Sequence, residues 1–400
     1  MKDAARRDWS ARYGPRRGIL GGIRWDRYPF GLLLLSLGLL GVGVLLIQSM
    51  SAVGELYEQS DEVRFVDHVK KLVVAAPMLL VGLLVRPRFL RKQAYWIYAA
   101  AIGLLALVPF IGIELNNAKR WIPTPIGFDL QPSEPAKLAL IVVLARVLHR
   151  RHLHSLSEWF KPCLLALLPM AMVAAQPDLG TALTVVPVTV GLLYLAGGDG
   201  RLITGLGLAA LVLGVSAWQY EWVQDYQIRR IDTWASSFAA EDLIASRNGP
   251  AFHVYHARVS IGNGGLDGTG LGEGVASRAA HLPERESDSI FCVAAEEFGF
   301  FGTTLLLGAY LALVIGLLRV AAGLRERFSR FVISGIALYF AAHLFINTGV
   351  NLGLIPMTGL TLPLLSTGGS SLLTSFLALG LALGLAARVE PSLDEDAFKA

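Results

Sequence analysis

Charge is scarce in this 400-residue chain: Asp, Glu, Lys and Arg make up 16% of it, against 54% hydrophobic residues. Soluble domains carry roughly 25% charged residues, so the deficit, with a mean hydropathy of +0.53, excludes an ordinary soluble domain and points to a membrane protein. Only two cysteines occur, Cys163 and Cys292, each in or beside an apolar run. That excludes a disulfide framework and a CxxC metal motif, and leaves both as small apolar packing residues. No HExxH or clustered Cys/His ligand set exists; His149, His152 and His154 sit in a basic stretch and read as a solvated loop. The net charge of +4 is spread over loops rather than gathered in a stripe, so no nucleic-acid partner is indicated. There is no fixed-period repeat, no long Ser/Pro linker and no GxGxxG or Walker spacing. The basic run from Lys2 to Arg27 is followed by a full span without a small-residue cleavage site, so the start reads as an uncleaved first span.

Long apolar runs are abundant. A spanning helix needs about 20 mostly apolar residues. Ten segments approach this, near 29–48, 71–85, 95–113, 135–148, 161–175, 180–196, 202–222, 290–318, 331–351 and 370–387. The expected fold is an all-α polytopic membrane protein, with ten transmembrane helices and a large external loop between spans 7 and 8. The divisions are a basic tail over 1–28, helices 1–7 over 29–222, the extracytoplasmic loop over 223–289, helices 8–10 over 290–388 and a polar tail over 389–400 that reads as disordered. Arginine and lysine concentrate in the first tail and around 86–92, 150–161 and 319–330, which places both termini in the cytoplasm. Tyr226–Trp234, mixed aromatic and basic, suits an interfacial helix.

Polar stretches interrupt this pattern. Lys119 and Arg120 fall outside, beside Trp121; the cationic pair can hold a lipid phosphate or pyrophosphate, or merely anchor to headgroups. Glu134 and Lys137 lie three apart on one helix face, an ion pair in the bland reading and a cavity-lining pair in the functional one. Asp178 follows a helix-breaking Pro177 and either caps the next helix or borders a polar cavity. Seven glycines between Gly262 and Gly274 let backbone amides approach a ligand, or simply make a mobile loop. A helix is expected to begin at Pro283, with Glu284, Glu286 and Asp288 in its first turns. Glu284 and Asp288 then share a face, and Asp288, at the membrane boundary, suits a general base. Glu296 and Glu297 lie within the following span and should face a cavity or a cation. Between the last two spans, Asn347–Leu373 reads as a re-entrant segment. Its Asn347, Asn351, Ser366, Thr367, Ser370 and Ser371 can supply hydrogen bonds there, or small residues for tight packing.

Taken together, KRWI with QPSEPAK, QPDLGTAL, IGNGGLDGTGLGEG, LPERESDSIF with AEEFGFFG, and GLIPMTGLTLPLLSTGGSS resemble the SEDS family (shape, elongation, division and sporulation), which includes RodA and FtsW. PMTG and QPDLGTAL lean to the RodA type and LTLPLL to the FtsW type, with RodA favoured. The resemblance implies a peptidoglycan glycosyltransferase of the bacterial inner membrane. Its substrate would be lipid II, its catalytic residue Asp288 and its leaving group undecaprenyl pyrophosphate. Lys119, Arg120, Trp121, Glu134, Lys137, Asp178, Glu284, Glu297, Ser366 and Ser370 become candidate substrate-binding residues. A divalent cation (Mg or Mn) and a class B penicillin-binding protein, supplying transpeptidation, are implied with it. The chain departs from the family: PE-x-HTDFIF reads PERESDSIF, so Glu286 replaces histidine and Ser289 phenylalanine. His256-Ala257 stand where Gln-Ser is usual, and Thr367 where SYGGSS has tyrosine. The rival expectations are a lipid II flippase or proton-coupled transporter, supported by Glu296, Glu297 and Lys137, and a non-catalytic scaffold.

Overall fold

The protein is described here as a computed structural model, covering residues 23–56, 65–115, 118–125, 128–150, 153, 155–219, 225–278 and 282–388. Most of the basic tail, His152, His154 and the acidic tail lie outside the described residues.

Each apolar run folds as a helix. In chain order they are α1 (Phe30–Leu56), α2 (Phe65–Leu84), α3 (Pro87–Ile111), α4 (Ser133–Leu148), α5 (Leu156–Ala175), α6 (Leu179–Leu195) and α7 (Gly200–Gln219). After four short helices, α8 (Asp225–Ser236), α9 (Ala240–Ala245), α10 (Phe252–Asn263) and α11 (Val275–Arg278), come α12 (Ile290–Gly323), α13 (Arg327–Asn351) and α14 (Gly369–Ala387). Local chemistry sets the ends. Pro87 starts α3 at a position where a missing N–H costs nothing. Ser155 and Glu158 form a reciprocal capping box on α5. Arg388 donates from the end of α14 to the carbonyls of Leu83 and Leu84, the last of α2, where a helix terminus favours positive charge. Among the described residues, six helices are long and apolar enough to cross a membrane, and Leu179–Leu195 is apolar but shorter.

α4 is the centre. All of its side chains except Pro135 and Arg146 are buried. α13 and α14 are nearly as enclosed, whereas α1, α3 and α12 expose apolar residues such as Leu34, Phe110 and Leu305. Water would not tolerate such a surface over so many contiguous residues; a bilayer would. Between α3 and α4, Ile113–Leu115 and Ala118–Trp121 pair as a short antiparallel hairpin, with Glu114 opposite Lys119.

The eighth apolar run is not the uninterrupted span expected. Gly299 inside α12 has φ 64° and ψ −167°, a conformation reached essentially only by glycine. The amides released there are bonded by the glycine-rich loop: Phe300 N–H donates to Gly265 O at 3.0 Å and Phe301 N–H to Leu266 O at 3.2 Å. A Cβ on Gly299 would lie 2.2 Å from Gly268 N. Gly299→Ala should therefore destabilise the protein by about 2–3 kcal/mol, read as a lowered Tm in detergent; a Tm equal to that of the parent would remove the glycine requirement.

Candidate active site

One end of the bundle carries most of the sequence-selected residues. The loop leading into α12 is a series of turns from Pro283 to Ser289, and the helix begins only at Ile290. This corrects the expectation of a helix from Pro283. Glu284 adopts a left-handed φ of 48°, and its carbonyl accepts from both Ser287 N and Ser289 N, at 3.0 and 3.1 Å. The chain curls around Glu284, so Glu284 and Asp288 do not share a helix face.

Asp288 is held by its backbone. Its carbonyl accepts from Asn347 Nδ2 at 2.8 Å and Asn351 Nδ2 at 3.0 Å, both from α13. Ser366 Oγ donates to the carbonyl of the preceding Ser287 at 2.6 Å, and Thr367 N to that of Glu286 at 3.0 Å. The residue as a whole is half-buried. Ser287 Oγ donates to its Oδ1 at 2.9 Å. Its Oδ2 lies beside Gly359, where an added Cβ would come within 3.2 Å of it. Desolvation by surrounding protein pushes the Asp288 carboxyl up from 3.8 to about 7; the Ser287 hydroxyl opposes this, and the carboxylates of Glu284, Asp178 and Glu286 add to it. Glu284 is raised as well, by burial and then by Glu286. A carboxyl poised near neutrality suits proton transfer.

The remaining candidates divide into those that reach this region and those bound elsewhere. Asp178 caps α6, its Oδ1 accepting from Thr181 N at 3.1 Å, while its Oδ2 accepts from Gln131 Nε2 at 3.0 Å. Arg120 is occupied by the same junction. It donates to Gln176 O at 3.1 Å and to Pro177 O, and its Nη1 lies 3.8 Å from Asp178 Oδ1. Lys119 is exposed on the hairpin and Trp121 half-buried. Ser370 is a strut: it donates to Asp129 O at 3.0 Å and accepts from Gln131 N at 2.7 Å. Ser366, placed among the substrate contacts by sequence, likewise bonds backbone, because the irregular segment 352–368 has carbonyls and amides that need internal partners.

Glu297 is also turned from the role expected of it. Its Oε1 accepts from Ser49 Oγ at 2.8 Å and Gly272 N at 3.0 Å. Glu296 accepts from Asn263 Nδ2 at 3.1 Å and Ala276 N at 2.8 Å. The loop amides thus hold the protein's own carboxylates. Two buried acids staple the glycine loop to the broken helix.

Deeper in the bundle, Lys137 and Glu134 form a buried ion pair at 2.8 Å. Lys137 Nζ also lies 2.8 Å from His343 Nε2, and Tyr339 donates to Glu134 Oε2 at 3.3 Å. An ammonium only donates, so His343 Nε2 accepts and the ring proton sits on Nδ1, which bonds Thr361 O at 3.0 Å. His343 was not singled out in the sequence, and neither were Tyr339, Ser287 or His253. A lone histidine in an apolar helix carries no local signal; only its distance from Lys137 in the fold reveals it.

No three His, Cys, Asp or Glu side chains among the described residues converge to hold a metal ion. Magnesium is commonly held by one or two carboxylates together with substrate phosphates; no step below is routed through a divalent cation.

Fold and site define a polytopic membrane protein with a carboxyl near neutrality at one end of its helical bundle. The FtsW/RodA/SpoVE family, described as cell cycle proteins, matches residues 30–390. A relative from Trichlorobacter lovleyi named "Probable peptidoglycan glycosyltransferase FtsW" is 34% identical, over 94% of this chain and 97% of its own. One of the same name from Burkholderia thailandensis is 32% identical, over 92% and 82%. A chain solved in a work on "structural coordination of polymerization and crosslinking by a peptidoglycan synthase complex" superposes with TM-score 0.75 at 29% identity, covering 90% of this chain and 98% of that one. Rod shape determining protein RodA of Thermus thermophilus gives 0.67 at 28%, covering 92% and 99%. The chain belongs to the FtsW/RodA/SpoVE family. These relatives carry the FtsW name and the solved protein the RodA name, so the matches do not divide the two types.

Proposed function

We propose that this peptidoglycan glycosyltransferase polymerises lipid II at the outer face of the cytoplasmic membrane, with Asp288 as general base. The observation that carries the reading is the Asp288 carboxyl, raised to about 7 and fixed through its backbone by Asn347 and Asn351, with Oδ2 beside Gly359. The ten helices α1–α7 and α12–α14, some of them too short to cross alone, are taken as ten spans. Both termini then lie in the cytoplasm and the 223–289 segment outside. The leaning to the RodA type rests on PMTG and QPDLGTAL alone, while the relatives at 32–34% identity carry the FtsW name.

In the reaction, Asp288 accepts the proton of the 4-hydroxyl on the acceptor's N-acetylglucosamine. That oxygen forms a bond to C1 of the donor's N-acetylmuramic acid as the bond from C1 to the pyrophosphate oxygen breaks. The electron pair leaves with undecaprenyl pyrophosphate, and C1 inverts. The base must sit close to the attacking hydroxyl while its own position is fixed; the asparagine and serine bonds to carbonyls 287 and 288 provide that fixity. Lys119, exposed on the hairpin, is the side chain we assign to the pyrophosphate, with Arg120 holding the 176–178 turn beside it. Lys119→Ala should raise KM for lipid II about 3–10-fold with kcat little changed. Arg120→Ala should lower thermal stability; an unchanged KM in Lys119→Ala would reject the pyrophosphate role.

The transport alternative drew on Glu296, Glu297 and Lys137. Those groups are engaged in stapling the glycine loop and in the buried ion pair, and this favours the enzyme. Purified protein incubated with lipid II and a class B penicillin-binding protein, the proposed partner, should form glycan strands. Lipid II translocation across liposomes without polymer would instead support a transporter.

A further inference from the structure

We propose that His253 is a positioning residue for Asp288, acting through Ser289; this rests on the general-base reading above. Ser289 is fully buried and directly follows Asp288. Its Oγ lies 3.0 Å from Pro283 O and 2.8 Å from His253 Nε2. A hydroxyl has one proton, and a carbonyl can only accept. Ser289 therefore donates to Pro283, and His253 donates its Nε2–H to Ser289. Burial first, and the neighbouring His256 second, push the His253 imidazole down to about 4, so this neutral tautomer persists across the working pH range.

The relay from His253 through Ser289 to Pro283 joins the two ends of the 283–289 loop and ties both to α10. The Asn347 and Asn351 amides hold the Asp288 carbonyl from α13. The peptide unit after Asp288 is thus gripped from two sides, by α13 at its carbonyl and by α10 at the next side chain. Ser289 stands where the family pattern has phenylalanine, a residue with no hydroxyl, so the α10 grip belongs to this chain and not to the pattern. His253 and Ser289 act as one unit, and their effects on turnover should be coupled.

The test uses the full-length chain with lipid II, with Asp288→Ala as reference. His253→Ala should lower kcat about 10-fold while KM for lipid II stays within about twofold. His253→Gln, whose amide can donate to the same oxygen, should recover most of the loss. Ser289→Ala should fall as far as His253→Ala, and the double variant no further. Hydrogen exchange across 283–289 should quicken in His253→Ala and return towards the parent rate in His253→Gln. An unchanged kcat in His253→Ala, equal losses in the Ala and Gln variants, or multiplying losses in the double variant would each overturn the proposal. If Asp288→Ala polymerises normally, the general-base reading fails, and the exchange data still decide whether His253 grips the loop: unchanged exchange in His253→Ala would show that it does not.

Discussion

Asp288→Asn should cut glycan polymerisation about 10²–10⁴-fold, the range supplied by a positioned general base, and should at the same time make the protein more stable. Both effects have one cause. The folded protein raises this carboxyl from 3.8 to about 7, chiefly by desolvation. A carboxyl raised on folding contributes its full stability below the unfolded value, and that contribution is lost as pH climbs from about 4 towards 7. Above pH 7 the ionised group is a net cost. The interval corresponds to about 4 kcal/mol, an upper figure because the residue as a whole is only half-buried. Asparagine removes the charge and retains the shape. At pH 8 the variant should melt higher than the parent, and at pH 5 the gap should shrink. Normal polymerisation, or a Tm gap that does not depend on pH, would contradict this account of the residue.

Lys137→Met should be the most damaging of the structural substitutions. Glu134 and Lys137 are both buried, paired at 2.8 Å, with Lys137 also bound to His343. Removing one member leaves Glu134 charged in the protein interior, which typically costs 3–5 kcal/mol (an approximate range). It also frees His343 Nε2, whose acceptor role fixes the proton on Nδ1 and thereby the bond to Thr361 in the segment beside Asp288. Glu134→Gln/Lys137→Met, with no charge left behind, should recover more than half of the lost stability. Denaturation in detergent reads both variants; a double variant as unstable as Lys137→Met alone would show that the buried charge is not the source.

How much of this could be read in the sequence depended on whether the governing contact was local. The helices were legible because each is an apolar run, and the irregular segment after Asn351 because Pro and Gly interrupt it. The Asp178 cap and the Glu134–Lys137 pair were legible because both partners lie within three residues on one helix. Asp288 was legible as a carboxylate placed at an apolar boundary. Contacts between distant segments were not. Gly299 reads as one more small residue in an apolar run; only its bonds with a loop some thirty residues earlier make it a break. Glu296 and Glu297 looked like groups awaiting a cation because the glycine loop that binds Glu296 and Oε1 of Glu297 is irregular and has no pattern to predict its path. Arg120 looked available for a phosphate, although its partners lie more than fifty residues on. The helix expected from Pro283 followed from proline and acids in sequence; the left-handed turn at Glu284 prevented it.

The central claim is that Asp288 works as a base with its proton affinity set near neutrality, and the pH dependence of kcat/KM for lipid II polymerisation tests it most directly. The expected profile rises as one ionisation with a midpoint near 7, set by the Asp288 carboxyl, and levels off above it, since only the ionised form can accept the sugar proton. A profile flat from pH 5.5 to 8.5, or a midpoint near 4, would contradict it.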